Sequence, residues 1–343
     1  MVETFRPGRE NGLKPFSLPG AAVKPAVLTF RIVRRRGGKF YECGDVFMSW
    51  NACEKPESLP EALTVLEKAA GRGRLIAGGT DLVLQLKRGE KQVDTLVDIT
   101  GIQGLNKIEE EADWIRIGAL VTHAEVAKSL LIRNEANALA EGCSQVGSPQ
   151  IRNAGTLVGN IINAQPAADA AIALLALDAE INVLSKTTER WMPLESAYRG
   201  IGLSTVDATR EIVTEIRFKK LGRNGVTGFF RMARRKALIL PSVNGAVAIR
   251  FGASLRRVEK ARIVIGPVAN KPYRARGAEA VLESGEISPE SIAEAARVAS
   301  EEADPRTSLL RGGSAYRKEM VGLYLTRTIQ GLLDETKKQE QDR

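Results

Sequence analysis

The chain has 343 residues, 43% of them hydrophobic and 27% charged, with a formal net charge of +9. That balance gives a globular protein with room for two or three compact units and excludes an extended disordered chain. No apolar run approaches the roughly 18 residues a membrane-spanning helix needs, and Ala26-Val27-Leu28 is too short for a signal-peptide core.

The excess charge is uneven: residues 1–47 hold nine Lys/Arg against four Asp/Glu. No interleaved aromatic pattern accompanies it, so the reading is a solvated basic tail and no nucleic-acid partner. Cys43, Cys53 and Cys143 lack metal-ligand spacing and cannot all pair. They fit a reducing cytoplasm and argue against an iron–sulfur cluster held by this chain alone. A single histidine excludes a multi-histidine metal site.

Residues 1–47 carry Pro7, Pro15, Pro19, Pro25 and the triplet Arg34-Arg35-Arg36, with one short candidate strand over Val27–Val33. Organised sequence begins near Met48, itself a candidate start of translation. Ser58-Leu59-Pro60-Glu61 has the form of a capping box, with proline in the first turn where no amide is needed. Ala62, Leu63, Leu66 and Ala70 supply a helical stripe that Gly71 and Gly73 end. Arg74 to Leu82 reads as a short buried strand that runs into Gly78-Gly79 and a polar turn. Adjacent glycines let successive amides point into one concavity that suits phosphate oxygens, and they equally make an ordinary tight turn. The spacing is neither a Rossmann fingerprint nor a P-loop.

Val93–Ile99 and Trp114–Ile117 read as strands, the second with Ile115 and Ile117 inward. Thr122-His123-Ala124-Glu125 is a second capping box and starts a helix through Leu131. It puts His123 in a first turn, where the reading is a structural or surface role.

Gln150 to Asp178 organises the chain. A polar run, Gln150-Ile151-Arg152-Asn153, turns through Gly155 into Thr156-Leu157-Val158-Gly159-Asn160 and on through Asn163 and Gln165 to Pro166 and Asp169. Of the nine residues Ala170 to Asp178, eight are apolar. Small and amide residues upstream of a buried helix suit a backbone lying against a bulky polar ligand. Asp169 is either a ligand residue or a helix cap beside Pro166.

Glu180–Leu184, Ile212–Phe218 and Gly228–Met232 read as strands, with a charged loop Lys219–Asn224 between the last two. Val243–Phe251 and Lys260–Ile265 look paired. Ser288-Pro289 opens a helix that Asp304-Pro305 ends. Tyr316–Leu333 forms the last helix, with Met320, Leu323, Tyr324 and Ile329 at core spacing, before a frayed charged tail Asp334–Arg343.

Two segments resemble the paired flavin motifs of the medium subunits of molybdenum hydroxylases, the carbon monoxide dehydrogenase and xanthine dehydrogenase group. Ala77-Gly78-Gly79-Thr80-Asp81 resembles the first motif, and Gln150 through Ile161 resembles the second. Pro166-Ala167-Ala168-Asp169, Phe230 through Lys236, Ala261 through Gly266 and Arg311 through Arg317 match further runs. The resemblance covers roughly residues 48–333. Either glycine motif alone is weak; both, in order and with these flanks, are specific.

The resemblance implies an α+β protein. A two-lobed FAD-binding domain of the PCMH type would span 48–225 (lobes 48–105 and 106–225). A C-terminal α+β domain of the CO dehydrogenase flavoprotein type would span 226–335, with an irregular extension over 1–47 and a charged tail over 336–343. It implies FAD held by Leu75, Ile76, Ala77, Gly78, Gly79, Thr80, Asp81, Leu82, Gly147, Thr156, Gly159, Asn160, Asp169 and Leu240. Ile239 and Leu240 would pass the flavin ring or simply pack in a core. Molybdenum cofactor and 2Fe-2S clusters would lie on a large and a small partner subunit, in a cytoplasmic dimer of heterotrimers. Electrons would enter this chain singly and leave for NAD or a quinone. A free-standing flavin oxidase or reductase and a flavin-free scaffold are the other classes.

Two departures stand out. Val158 occupies a position where the family has the first of two glycines; a valine there must point away from the flavin or carry a costly positive φ. Ser242 stands where some relatives place a lysine near the flavin.

Overall fold

The computed structural model describes residues 31–35, 38–42, 50–235, 237–253, 256–309 and 311–341. Residues 27–30 of the expected first strand, Cys43, Met48 and Lys236 lie outside that set. Chain contacts divide the protein into Met1–Met48 and Ser49–Arg343. In the first unit, β1 (Arg31–Arg35) and β2 (Gly38–Glu42) pair antiparallel, Arg31 opposite Glu42.

The second unit opens with β3 (Ala52–Glu54), α1 (Leu59–Lys68), β4 (Gly73–Ile76), α2 (Leu82–Lys87) and β5 (Thr95–Asp98). The three strands form a parallel sheet in the order β3-β5-β4, and helical crossovers are what parallel neighbours require. Ser58 caps α1 by accepting from the Glu61 amide at 3.4 Å. The Glu61 carboxylate accepts from Glu57 N at 2.9 Å, one residue upstream of the expected capping-box partner. Ala62, Leu63 and Leu66 are buried against Val97, Ile99 and Ile102.

β6 (Ile108–Glu111) and β7 (Trp114–Gly118) follow, then a helical stretch: α3 (His123–Lys128), α4 (Leu130–Glu135), α5 (Asn137–Ser144), α6 (Pro149–Ala154), α7 (Leu157–Ile162) and α8 (Asp169–Ala176). The single helix expected through Leu131 breaks at Ser129. That residue is extended (ψ 121°) and its hydroxyl caps α4 by accepting from Ile132 N at 3.3 Å. All eight residues of α8 are buried, as a helix apolar on every side beyond its first residue, Asp169, must be. β8 (Glu180–Leu184), β9 (Glu189–Pro193), β10 (Tyr198–Gly200), β11 (Leu203–Ser204) and β12 (Ile212–Lys219) complete this part. A five-stranded antiparallel sheet runs β6-β7-β12-β8-β9, and β10 pairs with β11.

The C-terminal part is an antiparallel sheet β13-β14-β15-β16 (Gly225–Met232, Val243–Phe251, Val258–Gly266, Tyr273–Arg274), covered by α9 (Arg276–Glu283), α10 (Pro289–Glu302) and α11 (Ser314–Gln341). Side chains alternate across a strand. On β14, Ala246 and Ala248 join the core around α8, while Val243, Val247, Ile249 and Phe251 join the core under α9–α11. With both faces covered, β14 is apolar on both sides, interrupted by the buried Asn244 and, near its end, the exposed Arg250. α11 extends through Gln341, so the frayed tail expected from Asp334 is helical to that point. Its buried stripe is Val321, Leu325, Ile329 and Leu332; Leu323 is exposed. The α+β class stands.

Candidate functional site

The loop after β4 carries the first glycine motif out of the carboxyl end of a parallel strand, a place where open α/β sheets take ligands. Gly79 has φ +65°, a conformation glycine adopts without steric cost. The amides of Gly78, Gly79, Thr80 and Asp81 find no acceptor among the described residues. Gly78, Gly79 and Thr80 are half-buried and Asp81 is exposed, and all four line a cavity, so their unspent donors are open to an acceptor-rich group.

The second motif is two short helices rather than a loop. Ser148 caps α6 by accepting from Ile151 N at 3.3 Å. Thr156 caps α7 by accepting from Gly159 N at 3.1 Å. Between them the Gly155–Leu157 backbone is pinned to the segment before α3: His123 N donates to Gly155 O at 3.1 Å, and Leu157 N donates to Val121 O at 2.9 Å. The two motifs then close on each other. A Cβ placed on Gly78 would lie 1.8 Å from Ala154 O, and one on Gly155 would lie 3.3 Å from Thr80 Oγ1. Gly78 is therefore glycine because the second motif lies against it.

Together they form one wall of a cavity of about 610 Å³, within the range of cofactor sites. Leu75 through Leu82, Thr156, Gly159 and Asn160 all line it, and the segment from Gly202 to Val213 closes the other side. Asn160 Oδ1 is buried there with no hydrogen-bond partner. Arg74 and Lys91 bring positive charge, and Asp81 and Glu211 bring carboxylates. Burial, then Arg74, lowers the Lys91 ammonium against the pull of Asp81. Burial raises the Asp81 carboxyl against the opposing charge of Lys91. Free amides, an orphaned amide oxygen, a glycine cradle and two cations fit a large anionic ligand with a polar chain, as a flavin dinucleotide is.

A family model described as FAD binding domain in molybdopterin dehydrogenase matches residues 48–218, and one described as CO dehydrogenase flavoprotein C-terminal domain matches residues 228–332. The 6-hydroxypseudooxynicotine dehydrogenase complex subunit alpha of Paenarthrobacter nicotinovorans is 30% identical over 273 residues, 80% of this chain and 91% of the relative. The chain belongs to the FAD-binding medium subunits of the molybdenum hydroxylases. The carbon monoxide dehydrogenase medium chain of Hydrogenophaga pseudoflava is 27% identical to this medium subunit over 80% of its length and 94% of the relative. A solved carbon monoxide dehydrogenase from the same organism superposes with a TM-score of 0.77 at 26% identity, covering 82% of this chain and 96% of that one. The medium subunit is accordingly an oxidoreductase component with an FAD-binding domain.

Three residues expected at the flavin do not line the cavity of the medium subunit. Asp169 is buried and accepts from Arg231 Nε at 3.1 Å and Asn244 Nδ2 at 2.6 Å. Burial pushes its carboxyl upward, opposed by Arg231 and Asn244. The same Arg231 donates through Nη2 to the carbonyl of Ile239. Leu240, next in the chain, is 59% exposed. Gly147, at φ +48°, turns the chain into α6 beside the cavity-lining Val146.

Val158 needs no positive φ, because it lies in the first turn of α7 with its side chain buried in the α8 core. It also lines the cavity. Of the structural and surface roles expected for His123, burial excludes the surface one, and the residue also lines the cavity. The sequence signal for this is its place directly after the capping threonine of a segment that pairs with the second motif, a pairing visible only in three dimensions. Ser242, in place of a lysine, is buried, and its carbonyl accepts from Arg317 Nε at 2.9 Å.

Proposed function

We propose that this medium subunit binds FAD in the cleft between its two glycine motifs and relays electrons within a molybdenum hydroxylase. The observation that carries the reading is the convergence of both motifs on one cavity whose amides and Asn160 oxygen are unspent. The residues that would hold FAD are the Leu75–Leu82 loop, through its amides and Thr80, with Thr156, Gly159 and Asn160 opposite. Bound FAD supplies the capacity to take electrons one at a time and release them in pairs. The chain's own part is to orient and shelter it. Ile76, Leu82, Val158, Ile162 and Val206 keep the walls apolar; Arg74 and Lys91 balance phosphate charge.

Asp169 acts indirectly in this account: it holds Arg231, which holds the Ile239 carbonyl and so places Leu240 outside the cavity. Gly147 sets the entry of α6. The division proposed here is a lobe 48–105 around the β3-β5-β4 sheet, a lobe 106–225 around the five-stranded sheet and the β10–β11 pair, and a domain 226–335 around the β13–β16 sheet.

The printed names of the relatives, subunits and medium chains, support large and small partners. On them lie the molybdenum cofactor and the iron–sulfur clusters that feed this chain, in a dimer of heterotrimers whose acceptor is NAD or a quinone. The compartment proposed is the cytoplasm, a reading that the free thiols of Cys53 and Cys143 support. Isolation of the native complex tests this. Molybdenum, iron and FAD in fixed ratio to this chain are the expected result. A chain that oxidises substrate alone, without either metal, contradicts it.

A further inference from the structure

We propose that His123 is a binding residue for the phosphate-bearing part of the nucleotide taken up by the cleft, an assignment that rests on the flavin reading above. His123 is the chain's sole histidine and is 2% exposed. It lines the cavity, and its backbone amide is bonded to Gly155 O, in the turn of the second motif. A Cβ on Gly155 would touch both Thr80 Oγ1, at 3.3 Å, and His123 Cδ2, at 3.7 Å. The imidazole edge and the Thr80 hydroxyl therefore both lie near Gly155, where the two glycine motifs close on each other.

The ring is not satisfied within the protein. His123 Nδ1 is buried without a hydrogen-bond partner, a state that costs stability. A half-turn about the Cβ–Cγ bond exchanges Nδ1 with Cδ2. Carbon then takes the dry position and nitrogen turns toward Gly155. In that orientation the ring offers a ligand a donor or acceptor beside the free amides.

Its charge state suits the task. Burial, then the Arg152 guanidinium on α6, depresses the imidazole to about 4, so it is neutral at pH 7. On its own helix, Glu125 is committed to Thr122, with both the amide and the hydroxyl donating at 2.7 Å. Arg74, Asp81, Lys91 and Glu211 also line the cavity, and Glu211 is paired with Arg190 at 2.8 Å. No carboxylate among the described residues hydrogen-bonds Nδ1. An arriving phosphate would be the first anion in direct contact with it, and an anion favours the protonated form.

Because the chain has one histidine, isotope-labelled histidine in the full-length protein reports this ring alone. With saturating FAD as the probe, the ring nitrogen resonances should move, and the titration midpoint should rise from about 4 by at least about one unit. His123→Leu should weaken FAD binding about tenfold or more at pH 7, and His123→Gln, which keeps a donor, should recover part of it. The resonance measurement uses the unmodified chain, so it stands even if a variant fails to fold. FAD bound at one per chain with ring resonances and midpoint unmoved would overturn the His123 assignment and leave the flavin reading intact. No FAD binding at any pH would overturn both.

Discussion

Replacing Gly78 by alanine should pry the two motifs apart. The added Cβ would sit 1.8 Å from Ala154 O, 2.6 Å from its carbonyl carbon and 3.0 Å from Gly155 Cα. Real Cβ contacts do not fall below 3.0 Å, so the backbones must separate by at least 1.2 Å. The atoms in the way are backbone, already pinned by the His123–Gly155 and Leu157–Val121 hydrogen bonds, so no rotamer change relieves the clash. Overpacking of this kind costs about 1–3 kcal/mol. The displaced amides are the ones assigned to the diphosphate, and losing 1–2 kcal/mol of that interaction weakens binding by roughly five- to thirtyfold. The assay is quenching of flavin fluorescence on titration, paired with a thermal melt. Gly79→Ala is the control: it strains a φ of +65°, but its Cβ meets only the side-chain ends of Val83, at 3.1 Å, and Ile76, at 3.2 Å. It should lose stability and keep more of its affinity. Gly78→Ala that binds FAD as tightly as the parent and melts at the same temperature refutes the reasoning.

Val158→Gly removes a core side chain and puts glycine in a helix turn, which should cost about 1–3 kcal/mol in urea unfolding with FAD affinity within about threefold; a large gain in affinity would show that valine obstructs the ligand. Arg231→Met leaves the buried Asp169 carboxylate with Asn244 alone and should destabilise by about 3–5 kcal/mol, whereas Asp169→Asn, if folded, should retain FAD; its loss of FAD would restore Asp169 to direct contact. Burial pushes the Asp178 carboxyl up, but hydrogen bonds from Lys260 and Arg262 outweigh it and hold it below its ordinary value. Its stabilisation is therefore complete above the unfolded value near about 3.9 and is lost as pH falls through the lower folded value. Asp178→Asn should lower the urea midpoint at pH 7 and flatten its fall at acid pH; an unchanged acid limb would contradict this.

What the sequence made legible was local. Ser58, Thr122 and Ser288 cap helices where expected, and the Ala77–Asp81 motif sits in the turn after a strand, because a few neighbouring residues determine those geometries. Asp169 could not be placed, because its partners Arg231 and Asn244 lie 62 and 75 residues away. The pairing of Thr122 with Thr156, which brings His123 to the cleft, is equally remote in sequence. The break at Ser129 was masked because an apolar helical period continues through it, and only the extended backbone of Ser129 reveals the second cap. Val158 looked like a defect in a glycine loop; in a helix turn it is an ordinary core residue.

The visible absorption spectrum of the purified full-length chain, with identification of the cofactor released on denaturation, addresses the central claim most directly. One FAD per chain, present on isolation or taken up on incubation, is the result the cleft predicts. A colourless chain that takes up no FAD would contradict it.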